Sequence, residues 1–278
     1  MFLKIYLTGH VFFSIIHIMN IDLLLVDVQN DFCSPEGTLY VPNAENDCKA
    51  IAHFIYKNMD KIDTIHMTLD THPFYHIAHP IFWKDANGNH PPVYTQITSK
   101  DFANGIYQPV DPSLNERVRD YLFKLESRSR YNLIIWPPHC LLATWGACIN
   151  KEVYDAVHEW ETKKPGRSLN FVLKAMNPLT EHYSAIQAEV PDPADPNTRT
   201  NFMLIDKIKG KSLYVAGEAL SHCVSNTIKD MCTYISASQI TLLTDCTSNV
   251  AGFEQIGKEF FDSYTSKGMK SALSTDLI

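Results

Sequence analysis

Val215-Ala-Gly-Glu-Ala-Leu-Ser-His-Cys-Val224 decides how this 278-residue chain is read. A short apolar strand, Ser212 to Val215, runs into a glycine-containing turn, and a cysteine stands where a helix should begin. At a helix N-terminus, free backbone N–H groups and the helix dipole favour thiolate over thiol. The alternative is a buried structural cysteine in a strand–helix turn, a common environment for free thiols.

Two distant segments favour the reactive reading. In Asp22-Leu-Leu-Leu-Val-Asp-Val-Gln-Asn-Asp-Phe32, Leu23 to Val26 read as a buried parallel strand with Asp27 at its C-terminal end. In Leu169-Asn-Phe-Val-Leu-Lys-Ala175 a second apolar strand ends in Lys174. Open α/β sheets bind ligands at the C-terminal ends of their strands. Asp27, Lys174 and Cys223 therefore form a candidate catalytic set in which a carboxylate and an ammonium activate a thiol.

Asp27-Val-Gln-Asn-Asp-Phe32, Lys174 and Gly217-Glu-Ala-Leu-Ser-His-Cys-Val224, in this order and strand context, resemble the isochorismatase-like cysteine hydrolases. The resemblance covers roughly residues 20–265, with Leu242-Leu-Thr-Asp-Cys246 similar to the family's following strand. Within the family, Asp70-Thr-His72 and Trp136-Pro-Pro-His139-Cys140 resemble the nicotinamidase/pyrazinamidase branch. In that branch an Asp-x-His pair and a later histidine hold one divalent metal. The resemblance thus implies Asp70, His72 and His139 as ligands, with Zn favoured and Fe or Mn compatible with mixed carboxylate and imidazole ligation. Three protein ligands leave positions for water or a pyridine nitrogen. His76 and His79 extend the histidine-rich run after His72, and His76 is the better placed by resemblance.

The implied chemistry is hydrolysis of a small carboxamide, nicotinamide in the first instance, to the acid and ammonia through a thioester. Asp27 would take the Cys223 proton, Lys174 would hold Asp27, and the N–H groups of Ala219 and Cys223 would form the oxyanion hole. Resemblance also implies a cis peptide at Glu218–Ala219 and aromatic walls from Phe32 and Trp136. It points to a homo-oligomer and to a role in NAD salvage. Three departures from the family pattern bear on the substrate: Ala175 for a glycine, Ser221 for an acidic residue, and Trp145 for a proline. A same-fold hydrolase of another amide, ureido or carbamoyl compound is the alternative. A catalytically silent binding protein is a further one, although all three catalytic positions are filled.

Composition sets the frame. The chain is 45% hydrophobic and 20% charged with a net charge of −7, enough for one large α/β core. No long basic run points to nucleic acid, and no apolar stretch is long enough to span a membrane as a helix. Seven cysteines, an odd number without a CxxC pair, fit a reduced, cytoplasmic protein.

Strand-like runs alternate with helical patterns, predicting a three-layer αβα Rossmann-like fold: a central parallel sheet with helices on both faces. Residues 1–19 read as a dispensable extension or an extra edge element, and residues 20–278 as a single hydrolase domain. The run Asn132 to Ile135 reads as a strand, and a helix is expected from about His222 to Ser236. An insertion at about 73–131 separates the halves of the metal motif, a place to reshape the pocket or make subunit contacts. Glu189 to Asn197 reads as a Pro/Asp-rich surface loop.

Overall fold

The computed structural model describes residues 3–7, 10–14, 20–128, 131–163 and 169–276. Six parallel strands form the central sheet: β1 (Ile21–Val26), β2 (Ile62–Asp70), β3 (Leu169–Lys174), β4 (Ser212–Gly217), β5 (Ile240–Leu243) and β6 (Lys270–Ala272). Their order is β6-β5-β4-β1-β2-β3. Every residue of β1 is buried, as expected for a parallel strand covered on both faces. The principal helices are α1 (Ala44–Asn58), α2 (Asn115–Ser127), α3 (Lys151–Lys163), α4 (Phe202–Ile208), α5 (Ser225–Met231) and α6 (Glu254–Ser266). Helices α1 and α3 pack together, while α6 packs on the turn that carries Cys223. The predicted αβα architecture is the observed one.

The strand order places the site. From β1 the chain builds outward through β2 and β3, then returns to add β4, β5 and β6 on the other side. Strands β1 and β4 are neighbours at this reversal, where a crevice opens beyond their C-terminal ends. Gly217 pairs with Val26 there, and its φ of 114° suits glycine. A Cβ on Gly217 would lie 2.0 Å from the Val26 carbonyl oxygen, so the two strands meet only because that side chain is missing.

Several local expectations change. Leu133–Ile134 pairs antiparallel with Gln96–Ile97 outside the main sheet. A short apolar run cannot by itself distinguish a central strand from another buried segment. Helix α5 is shorter than expected because Leu220–Val224 forms a π turn ahead of it. The final strand β6 lacks a long apolar run and was not anticipated. Leu3–Leu7 pairs antiparallel with His10–Ser14, apart from the six-stranded sheet; the other residues of 1–19 lie outside the described ones.

The long insertion contributes to the core. Val118, Tyr121, Leu122 and Leu125 of α2 are buried, as is Trp83. Arg117 pairs with Asp192 at 2.8 Å, and both Asp192 and Glu189 are buried. The expected surface loop is therefore partly internal, held down by the insertion. Among the described residues no helix is long and apolar enough to cross a membrane.

Candidate active site

Each candidate side chain sits at or just beyond a strand end. Asp27 follows β1, Asp70 ends β2, Lys174 ends β3, and Cys223 lies on the turn after β4. Strands β2 and β3 pair with Asp70 opposite Lys174, so these side chains are direct cross-strand neighbours. Lys174 Nζ lies 2.9 Å from Asp70 Oδ1 and 2.8 Å from Asp27 Oδ2. It also lies 3.7 Å from Cys223 Sγ. One ammonium thus touches both carboxylates and the thiol.

The electrostatics follow from burial. Desolvation disfavours the Lys174 ammonium, but Asp27 and Asp70 outweigh it and push its pKa well above the ordinary value. Burial raises Asp27, opposed by Lys174 and reinforced by the Asp70 charge. Burial also pushes the Cys223 thiol well above its usual range, with Lys174 pulling the other way. The expectation of a thiolate stabilised at a helix N-terminus is corrected here. Cys223 lies inside the π turn, before α5 begins, and desolvation dominates. Burial thus opposes ionisation of both the Cys223 thiol and the Asp27 carboxyl. Cys223 is also buried, whereas Cys148 is exposed.

The motif Asp27-Val-Gln-Asn-Asp-Phe32 does more than its resemblance implied. Gln29 clamps the backbone of Asp70, donating to its carbonyl at 2.7 Å and accepting from its N–H at 2.8 Å. Asp31 accepts from Cys140 N–H at 2.6 Å and from Thr38 N–H at 3.0 Å. Gly146 lies so close to Asp31 that a Cβ would stand 2.0 Å from its Oδ2. Phe32 meets the His139 ring edge-on at 5.3 Å between centroids. One hexapeptide therefore positions a triad candidate and both halves of the metal motif. Thr68, unmarked in the sequence, donates to Asp27 Oδ1 at 2.5 Å and accepts from Asp27 N–H at 3.0 Å.

Asp70, His72 and His139 converge as a possible metal site. Asp70 Oδ2 lies 3.4 Å from His72 Nδ1 and 3.2 Å from His139 Nε2. His139 Nδ1–H donates to Pro137 O at 2.8 Å, which turns the Nε2 lone pair toward the carboxylate when the ring is neutral. Two electron-rich atoms facing each other in a buried site require a cation or a proton between them. Neither ring nitrogen of buried His72 has a hydrogen-bond partner among the described residues. Burial depresses His72 to about 3, leaving the neutral imidazole that ligation needs. For His139, burial is outweighed by Asp70, and its pKa is raised.

His76 and His79 join the same cluster: the His72 ring centroid lies 4.5 Å from His76 and 5.1 Å from His79. Glu181 approaches from the opposite side, 3.7 Å from His72 Nε2. It was missed in the sequence because no motif marks it. Its N–H donates to Tyr121 OH of the insertion helix at 3.2 Å.

Beside these groups lies a pocket lined by Phe32, Trp136, Tyr183, Ala219, His222 and Cys223, among others. Trp136 Nε1–H donates to Tyr183 OH at 2.8 Å and its ring meets His222 edge-on. The Glu218–Ala219 peptide is cis, as the resemblance implied. The N–H groups of His222 and Val224 donate to Ala219 O. Trp145, the residue in place of proline, points outward and is exposed. Ala175 has φ 63°, a left-handed conformation that accounts for the usual glycine. A larger cavity of about 570 Å³ runs along β3 and α4. Lys174 reaches its wall but Cys223 does not; the smaller pocket is the one that Cys223, Asp70 and His139 line together.

No family model matches the chain. A nicotinamidase from Saccharomyces cerevisiae is 27% identical over 234 residues, covering 82% of this chain and 88% of that one. The structure of the yeast nicotinamidase Pnc1p superposes with a TM-score of 0.63 at 22% identity, over 90% of this chain and 98% of the other. A Pyrococcus horikoshii pyrazinamidase solved in complex with zinc gives a TM-score of 0.53 at 20% identity, over 91% and 98%. Motif order, a shared fold and the yeast relative agree. The chain is thus similar in sequence to a nicotinamidase over most of its length and shares the fold of the solved nicotinamidases and pyrazinamidases.

Proposed function

We propose that this protein deamidates nicotinamide, or a similar small carboxamide, to the carboxylic acid and ammonia through a thioester on Cys223. The observation that carries the reading is the Lys174 ammonium in contact with Asp27, Asp70 and Cys223 at once. Asp27 takes the thiol proton as sulfur attacks the amide carbonyl carbon. The C–N bond then breaks, and the same proton leaves with the amine as ammonia. Water next adds to the thioester, and the C–S bond breaks to release the acid and restore the thiol. The N–H groups of Ala219 and Cys223 stabilise the oxyanion in both steps. Lys174 keeps Asp27 oriented and offsets charge developing at sulfur. Phe32 and Trp136 form the walls against which the ring packs.

Asp70, His72 and His139 would hold one divalent ion, and their buried, partly unpaired donor atoms fit it. Zn is favoured by the two imidazoles and one carboxylate, a set that Fe and Mn also accept. When bound, the ion supplies a Lewis-acidic anchor that orients the substrate. The proposed setting is a cytoplasmic homo-oligomer serving NAD salvage, built on residues 20–278 with 1–19 as an accessory extension.

The test is ammonia release from nicotinamide by purified protein of known metal content, with Cys223→Ala as control. Release that vanishes in the variant supports the reading. No release from metal-loaded protein with an intact Cys223 rejects nicotinamide, and a panel of ureido and carbamoyl compounds then tests the alternative substrates.

A further inference from the structure

Two carboxyls outside the network around Lys174 are buried against each other. Asp47 stands in the first turn of α1, and Glu218 follows β4 immediately before Ala219. Asp47 is 2% exposed and Glu218 1%, and their side chains are in hydrogen-bonding contact. Each has one oxygen supplied from elsewhere. Asp47 Oδ1 accepts from Asn43 Nδ2–H at 3.0 Å, and Glu218 Oε2 accepts from Ser248 N–H at 3.2 Å. The other oxygens, Asp47 Oδ2 and Glu218 Oε1, are buried and have no donor among the described residues. Two bare carboxylate oxygens cannot stay in contact away from water unless a proton lies between them.

Around the pair stand Tyr40, Glu45 and Cys48 before or on α1, Cys33 beyond β1, and Asp245 and Cys246 beyond β5. None of these is a cation that could replace the proton, and Lys49 of α1 reaches Asn46 instead. Burial raises the pKa of both carboxyls, and the Asp47 charge raises Glu218 further. The first turn of a helix favours an anion, so the charge rests on Asp47 and the proton on Glu218.

Glu218 meets the site through its neighbour. Ser248 holds the chain on both sides of Ala219: its N–H donates to the Glu218 carboxyl, and its carbonyl accepts from Leu220 N–H at 2.8 Å. Glu218 N–H in turn donates to Val26 O at 2.8 Å, next to Asp27. Ala219 lines the pocket with Cys223, and its N–H is one of the two proposed oxyanion donors.

We propose that Asp47 and Glu218 share one proton, and that Glu218 is thereby a positioning residue that fixes the turn on Ser248 and aims the Ala219 N–H at the oxyanion. The role rests on the amidase reading above; the shared proton does not. Loss of that proton sets two charges against each other and loosens the turn. Both carboxyls have raised pKa values in the folded chain, so the pair's contribution to stability is greatest at acid pH and is lost as pH rises through the raised values.

Isosteric amides in the full-length protein test the proton. Asp47→Asn keeps the Oδ1 acceptor and puts an N–H donor where Oδ2 stood, and Glu218→Gln does the same at Oε1. Either single variant keeps the contact without a titrating proton, while the double variant sets two donors face to face. In urea unfolding at neutral pH the singles should stay close to the wild type, and the double should lose more than the two singles together. The wild type should lose stability relative to either single as the pH rises. Effects that simply add, with no difference in pH dependence, overturn the shared proton. For the role, kcat for ammonia release is followed against pH. Glu218→Gln should keep the wild-type kcat near neutrality and extend it to higher pH. Glu218→Ala should lower kcat at least about tenfold, short of the roughly 100- to 1,000-fold lost with an oxyanion donor itself, with KM little changed. An unmoved alkaline limb in Glu218→Gln, or an intact kcat in Glu218→Ala, overturns the positioning role. A wild type that releases ammonia from no carboxamide rejects the amidase reading and the role together, and the unfolding measurements still decide the proton.

Discussion

Asp70 divides its two carboxylate oxygens between two functions. Oδ1 accepts from Lys174 Nζ at 2.9 Å, while Oδ2 faces His139 Nε2 at 3.2 Å. The β2–β3 register imposes the first contact, because Asp70 and Lys174 are paired across the strands. The ion-pair network around Cys223 and the possible metal cluster therefore share one residue. Burial opposes ionisation of Asp70, but the neighbouring imidazoles and Lys174 overcome it and hold its pKa well below the ordinary carboxylate value.

Asp70→Asn tests that sharing. The amide removes one charge from both networks, so metal affinity should fall by at least about 10- to 100-fold. Turnover should remain depressed at saturating metal, because Lys174 has lost an anionic partner. Metal titration followed by kcat measurement in metal excess separates the two effects. Full recovery of kcat would show that the Lys174 contact contributes nothing to the reaction.

Thr68→Val removes the hydroxyl that donates to Asp27 Oδ1. That bond favours the ionised carboxylate, so its loss raises the Asp27 pKa further. Asp27 acts as a base only when ionised. The acid limb of the kcat/KM profile should therefore shift to higher pH, with a loss of about tenfold near neutrality, of the order expected for a charged hydrogen bond. An unshifted acid limb would remove Asp27 from the role of base.

General alkylation should not single out Cys223 in the free protein. Reactivity follows thiolate fraction and access, and Cys223 is both buried and raised in pKa. The exposed thiol is Cys148. Mass spectrometry after limiting iodoacetamide should show Cys148 modified first and activity largely kept. A small aldehyde analogue of the substrate should protect Cys223 selectively in a Cys148→Ser background. Faster iodoacetamide labelling of Cys223 would mean that the free site already holds thiolate.

Ala175→Gly probes the left-handed residue after Lys174, where φ is 63°. Relief of Cβ strain is worth about 1–2 kcal/mol, and the greater freedom of unfolded glycine offsets about 0.4–1 kcal/mol. The variant should be as stable as the parent or more so, by up to about 1.6 kcal/mol in urea unfolding. A clear loss of stability would mean that the alanine methyl packs favourably where it stands.

Much of this site was legible along the chain. Strand ends are short and chemically marked: Asp27, Asp70 and Lys174 each close an apolar run, and a parallel sheet brings such ends to one edge. The cysteine turn was legible for the same reason. What the linear pattern misjudged were groups whose surroundings come from elsewhere. The Leu133–Ile134 run looked like a central strand, yet its partner is Gln96–Ile97 from the insertion. Asp192 looked like loop surface until Arg117 of α2 covered it.

The sequence by itself determined the fold class and marked the candidate nucleophile and the motifs of the possible metal site, because these depend on local periodicity and on residue types at strand ends. Tertiary structure decided the rest. It alone brought Glu181 to His72, placed the Thr68 hydroxyl on Asp27, and set the Asp47 carboxyl against that of Glu218. It also set the direction of the Cys223 shift, upward and not downward, since desolvation depends on everything packed around a thiol and no local motif encodes that.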